Sequence, residues 1–286
     1  MIQLVAFDLD GTVLDPAGDP APSALAALRR LVEQGRRIAA ISGRSIRRSL
    51  HPFRDCPELI DAAHVCGYNG AAAAGPAVAG RRSLLFSRPL APTVVDELLA
   101  HALAHGLELV YCTCEETPSG LREEYRYQQI PADPTWAAAW QSVGYVRDEH
   151  LYARLAAGEL PPPAKVMLFA GTRGPEAVLD HVRRGFGSRV YVAWAARELL
   201  EIMAPEVNKG AALRWLAGSL AIPLDQVLAI GDGNNDLPML RTAGTGVLMG
   251  NANDDVRTAL QGTQVRTAPP FAADGFAAAM ADQGLG

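Results

Sequence analysis

Short apolar runs alternate with amphipathic helical stretches at both ends of this chain, and three of those runs stop at loops loaded with polar chemistry. IQLVAF leads into DLDGT, RRIAAI into SGR, and QVLAI into GDGNND. Such alternation is the grammar of a parallel sheet with helices packed on its faces. PSALAALRRLVEQG reads as the first helix, with Leu25, Leu28, Leu31 and Val32 on one face, Pro22 near its start and Gly35 at its stop. NKGAALRWLAGSLAI reads as another near the far end, with Leu213, Leu216 and Leu220 on one face.

Between these parts the pattern changes. HVCGYNGAAAAGPAVAGRRSLLFSRPL reads as a strand, an Asn69-Gly70 turn and two further strands. A separate α/β section follows, with helices in PTVVDELLAHALAHG and PEAVLDHVRRGFG and strands in LELVYC and KVMLFA. The stretch 113–163 is poorly patterned. The expected architecture is therefore a Rossmann-like parallel-sheet α/β core built from residues 1–83 and 189–286, with a smaller α/β domain, 84–188, inserted between them. A length of 286 residues suits that division.

Composition narrows the function. Hydrophobic residues make up 49% and the formal net charge is -5 with no long basic run, which argues against a nucleic-acid or anionic-membrane surface. No apolar run reaches membrane length. Cys56, Cys66, Cys112 and Cys114 form no disulfide framework, and the expectation is reduced thiols in a cytoplasmic protein. No exposed apolar repeat suggests self-association, so a monomer is expected.

Open parallel sheets bind ligands outside the carboxyl ends of their strands. Asp8 and Asp10 follow the first strand two residues apart and project to one side if extended geometry persists through Leu9. Asp232 and Asp236 lie in a Gly-rich turn that can bring them beside that pair. Carboxylates crowded at one point repel unless a cation neutralises them, and oxygen-only donors select a hard ion, Mg2+ first. Ser42 can offer a hydroxyl, Gly43 a close backbone N–H and Lys209 an ammonium. With the metal these make an electrostatic clamp for a phosphoryl group.

The order DLDGT, SGR, NKG, GDGNND resembles the haloacid dehalogenase (HAD) superfamily of aspartate-nucleophile phosphatases. GYNGA, LLEIMAPEVNKGAAL and GVLMGNAND resemble its Cof-type branch, which carries a large α/β cap between the second and third motifs. The resemblance covers both core segments; the insertion shares only placement, size and coarse pattern. It implies a HAD fold and a Mg2+-dependent phosphatase for small phosphorylated metabolites, sugar phosphates foremost. It further implies Asp8 as nucleophile, Asp10 as general acid and base, and Thr12 as the residue orienting Asp10. Ser42, Gly43, Lys209 and Asn235 would bind the phosphate. Asp8, the Asp10 carbonyl, Asp232 and Asp236 would hold the metal, Asp236 directly or through water. Arg44 and Asn69 are candidates to face the substrate, although Arg44 could pair with an acid and Asn69-Gly70 is also a plain turn signal.

The motifs leave a phosphomutase open, since it uses the same aspartyl-phosphate. A receiver domain fits poorly, because its acids lie on different strands of a shorter chain. His101 and His105 share a helical face, read here as solvated. Trp136, Trp140, Tyr125 and Tyr127 fall in the poorly patterned stretch, mostly as core of the inserted domain.

Overall fold

The run Leu4–Phe7 is buried along its whole length, as a central strand covered on both faces must be. In the computed structural model, which describes residues 1–129, 144–169, 175–196 and 199–285, it lies in the middle of an 8-stranded sheet. Across that sheet run Arg266–Thr267, Thr245–Leu248, Val227–Gly231, Leu4–Phe7, Arg37–Ile41, His64–Gly67, Ala72–Ala74 and Leu84–Ser87. The strands from Arg266–Thr267 to His64–Gly67 are parallel, and Ala72–Ala74 turns back antiparallel.

Register decides what this sheet presents at its edge. Phe7 stands opposite Ala40 on one side and Ile230 on the other. The residues that follow, Asp8, Ser42 and Asp232, therefore leave three adjacent strands at the same edge. The Pro22–Glu33 helix buries Ala24, Ala27, Leu28 and Leu31, and this face packs with Phe7, Ile38 and Phe276 into one core.

The chain divides into two compact units, Met1–Leu85 with Asn208–Gly286, and Phe86–Val207. The second unit holds a 6-stranded sheet in the order Tyr191–Ala196, Leu199–Met203, Lys165–Phe169, Glu108–Thr117, Gly120–Tyr127 and Tyr145–Arg147. Its core joins Leu98, Leu99 and Ala102 of the Pro92–His105 helix to Val182 and Phe186 of the Pro175–Phe186 helix. The expected return to the first unit at 189 is early. Leu199–Met203 pairs antiparallel with both Tyr191–Ala196 and Lys165–Phe169, so these strands complete the second sheet, and the return comes at Asn208.

The stretch from 113 onward is also more regular than its sequence suggests. Thr117 and Gly120 close a long hairpin between Glu108–Thr117 and Gly120–Tyr127. Cys112 and Cys114 are buried on one strand of it, two residues apart with Thr113 between them, and are not joined by a disulfide. Tyr125 and Tyr127 are buried against Tyr145, whereas Trp136 and Trp140 lie outside the described residues.

Candidate active site

Lys209 begins the Lys209–Ser219 helix, and the side chain of Asn208 caps that helix by accepting from the backbone N–H of Ala211 at 2.8 Å. The cap fixes where the lysine starts. Its side chain has no solvent exposure, and its Nζ donates to Asp8 Oδ1 and to Asp236 Oδ1, both at 2.6 Å. A buried ammonium is tolerated only when paired and hydrogen-bonded, and here two carboxylates flank it. Burial opposes its charge, but Asp236 and Asp8 outweigh that and raise the ammonium above its ordinary value.

Asp236 is held from both ends. Its Oδ1 takes Lys209, while its Oδ2 accepts the backbone N–H groups of Asp232 at 3.0 Å and Gly233 at 2.8 Å. The GDGNND loop thus folds around this one carboxylate. Gly231 is required there: a Cβ at that position would lie 2.5 Å from Asp236 Cγ.

Asp232 is held next. Its Oδ1 accepts from Thr12 Oγ1 at 3.2 Å and its Oδ2 from Asn251 Nδ2 at 3.1 Å. Asn251 also donates to the Gly11 carbonyl at 2.9 Å and accepts from the Phe271 N–H at 2.8 Å, tying three loops together. Gly11 sits at φ +75 with a would-be Cβ 2.3 Å from Asp232 Oδ2, so both the conformation and the contact demand glycine. The resemblance gave Thr12 to Asp10; in the structure its hydroxyl bonds Asp232 instead, because the turn after Leu9 points it across to the neighbouring strand's loop.

One oxygen from each of Asp8, Asp232 and Asp236 falls within a single 4.8 Å cluster. Burial pushes the Asp8 carboxyl up to about 8, with Asp236 and Asp232 adding to the rise and Lys209 opposing it. Burial and then Asp236 push Asp232 up to about 6. One lysine does not satisfy three clustered carboxylates. The donor set is oxygen only and suits a hard divalent cation, with Asp236 the most committed to other partners.

Asp10 faces differently. Its carboxylate is about half exposed and takes a two-point grip from Arg44, Nε to Oδ2 at 2.9 Å and Nη2 to Oδ1 at 2.5 Å. The structure thus joins Arg44 to an acid of the site. Ser42 is buried, and its Oγ accepts from the Arg44 N–H at 3.2 Å. Asn69, also buried, donates its backbone N–H to the Ser42 carbonyl at 2.9 Å and accepts from Asn235 Nδ2 at 3.1 Å. Both Tyr68 and Asn69 adopt φ 55, an uncommon backbone for such residues, which the pairing with the Ser42 loop and Asn235 maintains. The sequence reading did not give Asn251 a role, although GVLMGNAND contained it.

A parallel-sheet α/β core with clustered acids at the carboxyl edge of its central strands defines the class of fold, and comparison with known proteins supplies the family. The family model for haloacid dehalogenase-like hydrolases matches residues 5–266, and the chain belongs to that family. It is 28% identical to the HMP-PP phosphatase of Serratia proteamaculans over 93% of this chain and 90% of that one. It is 29% identical to the pyridoxal phosphate phosphatase YbhA of Escherichia coli over 89% of this chain and 90% of its relative. The subclass IIB sugar phosphatase BT4131 superposes with a TM-score of 0.78 at 20% identity, over 99% of each chain. The protein is an enzyme of the HAD phosphatase class.

Proposed function

We propose that this enzyme hydrolyses phosphoric esters of small metabolites through an aspartyl-phosphate on Asp8, with Mg2+ as its cofactor. The observation that carries the reading is the Asp8–Lys209–Asp236 chain beside Asp232, at the carboxyl edge of three adjacent strands. Asp8 and Asp232 would hold the ion with the Asp10 carbonyl, and Asp236 would assist directly or through water. Bound there, Mg2+ supplies positive charge that keeps Asp8 ionised and neutralises the phosphoryl oxygens.

Lys209 occupies Asp8 Oδ1, which leaves Oδ2 to attack phosphorus in line with the leaving alcohol. As the P–O bond to the substrate breaks, Asp10 gives its proton to the departing oxygen. Asp10 then takes a proton from the water that attacks the aspartyl-phosphate, and inorganic phosphate leaves. The two-point grip of Arg44 holds Asp10 as a carboxylate, so Arg44 would let go of it for Asp10 to carry the proton it gives. Ser42, Gly43, Asn235 and Lys209 bind the phosphoryl oxygens, and Asn69 braces Asn235. Thr12 acts on Asp232, which its hydroxyl touches.

The inserted second unit is the proposed selector of the leaving group. Relatives named for HMP-PP, pyridoxal phosphate and sugar phosphates favour small phosphorylated metabolites without choosing among them. The test is phosphate release from HMP-PP, pyridoxal phosphate and a set of sugar phosphates, with Mg2+ and with chelator. Release that requires Mg2+ and disappears in Asp8→Asn is expected. Full activity in that variant overturns the mechanism, and an isomerised sugar phosphate without released phosphate replaces it with a mutase.

A further inference from the structure

Three of the chain's six histidines meet far from the sequence positions of the acidic site, in the second unit. His101 and His105 lie one turn apart on the Pro92–His105 helix, so their side chains share a face. The sequence reading treated that face as solvated. In the structure His181, from the Pro175–Phe186 helix, stands against it. The ring centroids form a nearly equilateral triangle, 4.5 Å between His101 and His105, 4.6 Å between His101 and His181, and 4.7 Å between His105 and His181. One ring nitrogen from each lies within 4.8 Å of the others.

We propose that His101, His105 and His181 form a site for a divalent transition-metal ion, with Zn2+ the first candidate. Imidazole is the common protein ligand for such ions, and here three rings converge with one nitrogen from each in reach of the others. Nitrogen donors suit Zn2+, Co2+, Ni2+ and Cu2+ rather than the hard ions that carboxylates choose, and no carboxylate joins this cluster among the described residues. Leu107, Ala177 and Val178 line the same pocket as the three rings, and His101 and Phe186 stand T-shaped with ring centroids 6.3 Å apart. Zn2+ bonds to imidazole at ~2.0–2.1 Å and, with three protein ligands, keeps a fourth position for water. His101 and His105 are half-buried and His181 is exposed, so modest side-chain rotations can draw the nitrogens onto one ion. The ion would pin the end of one helix to the other and so brace the second unit.

The test uses the full chain, produced without a polyhistidine tag and stripped of metal, in excess Mg2+ so that oxygen-donor sites are filled. Co2+ is titrated in and its visible absorption recorded, followed by Zn2+. One equivalent of Co2+ is expected to give the bands of a low-coordinate, nitrogen-rich site, and Zn2+ to abolish them. The bands should be lost in His181→Ala and in His105→Gln, and kept in Asp232→Asn. His181→Ala changes an exposed residue, so it should retain the wild-type circular dichroism and Mg2+-dependent phosphate release. Zn2+ should raise the Tm of the wild type but not of that variant. Absence of bands in the folded wild type overturns the proposal. So does their persistence in both histidine variants, or their loss in Asp232→Asn instead.

Discussion

Replacing Lys209 with methionine removes a cation of similar length from between two carboxylates. Lys209 is completely buried, as is Asp236, and Asp8 is 7% exposed, so water cannot take over the vacated role. Breaking a buried ion pair by deleting one partner costs ~3–5 kcal/mol, because the remaining charge is stranded. Here two carboxylates lose their partner, but the costs do not add. Asp8 is pushed up to about 8 even with the lysine present, so at pH 7 in chelator it is already largely protonated and loses little when the lysine goes. Asp236 keeps two backbone N–H bonds on its Oδ2. The net loss at pH 7 in chelator should therefore sit near the low end, ~3 kcal/mol, or a fall in Tm on the order of 10 °C. If Mg2+ binds as proposed, it should recover part of this loss by adding positive charge to the cluster, while phosphatase activity stays abolished. Denaturant melts of wild type, Lys209→Met, Asp8→Asn and the double variant give the coupling directly. If Lys209→Met melts with the wild type in chelator, or if Lys209 and Asp8 show no coupling, the reasoning about this buried chain is wrong.

Further outcomes follow from the same geometry. Asp8 and Asp232 have folded pKa values raised above the value near 3.8 of a free aspartate. The stability they contribute is present below that value and is lost as pH rises through about 6 and then about 8. In chelator, Asp8→Asn should therefore gain stability over the wild type between pH 5 and pH 8, and Mg2+ should erase the gain; thermal melts across that range check both. Asn251→Ala removes a donor from Asp232 and from the Gly11 carbonyl, so the Mg2+ concentration for half-maximal activity should rise ~10–100-fold. Gly11→Ala forces a Cβ into Asp232 and should weaken Mg2+ activation more than Asn251→Ala does, as read by the same titration. Asp10→Asn should lower kcat by ~10²–10⁴-fold while leaving Mg2+ binding by calorimetry close to normal.

The legible parts of this protein are those where chemistry follows strand geometry. Asp8, Ser42 and Asp232 each come directly after an apolar run, and parallel pairing in register delivers all three to one edge. Lys209 could be placed because NKG opens a stretch with clear helical periodicity. What the sequence hid depends on tertiary neighbours. Asn251 follows a strand within a turn-like GNAND, and nothing local shows that it reaches Gly11 and Asp232. Arg44 was open between substrate and acid until the structure gave it Asp10. In the second unit, LREEYRY shows no clear strand pattern; its tyrosines are legible as core, but the inward turn of Glu123 beside them on a hairpin strand is not. LLEIM resembles a core strand of either unit, and only its antiparallel pairing assigns it to the second sheet. His181 gained meaning only when its helix met His101 and His105.

The central claim is that Asp8 becomes phosphorylated during turnover. The most direct measurement is rapid acid quenching of the Mg2+-loaded enzyme with a good substrate, borohydride reduction of any acyl phosphate, and mass spectrometry of the peptide containing AFDLDGT. Reduction at Asp8, dependent on substrate and absent in Asp8→Asn, is the predicted result. Continued phosphate release with Asp8 unmodified at every quench time, or with label on another residue, would contradict the account.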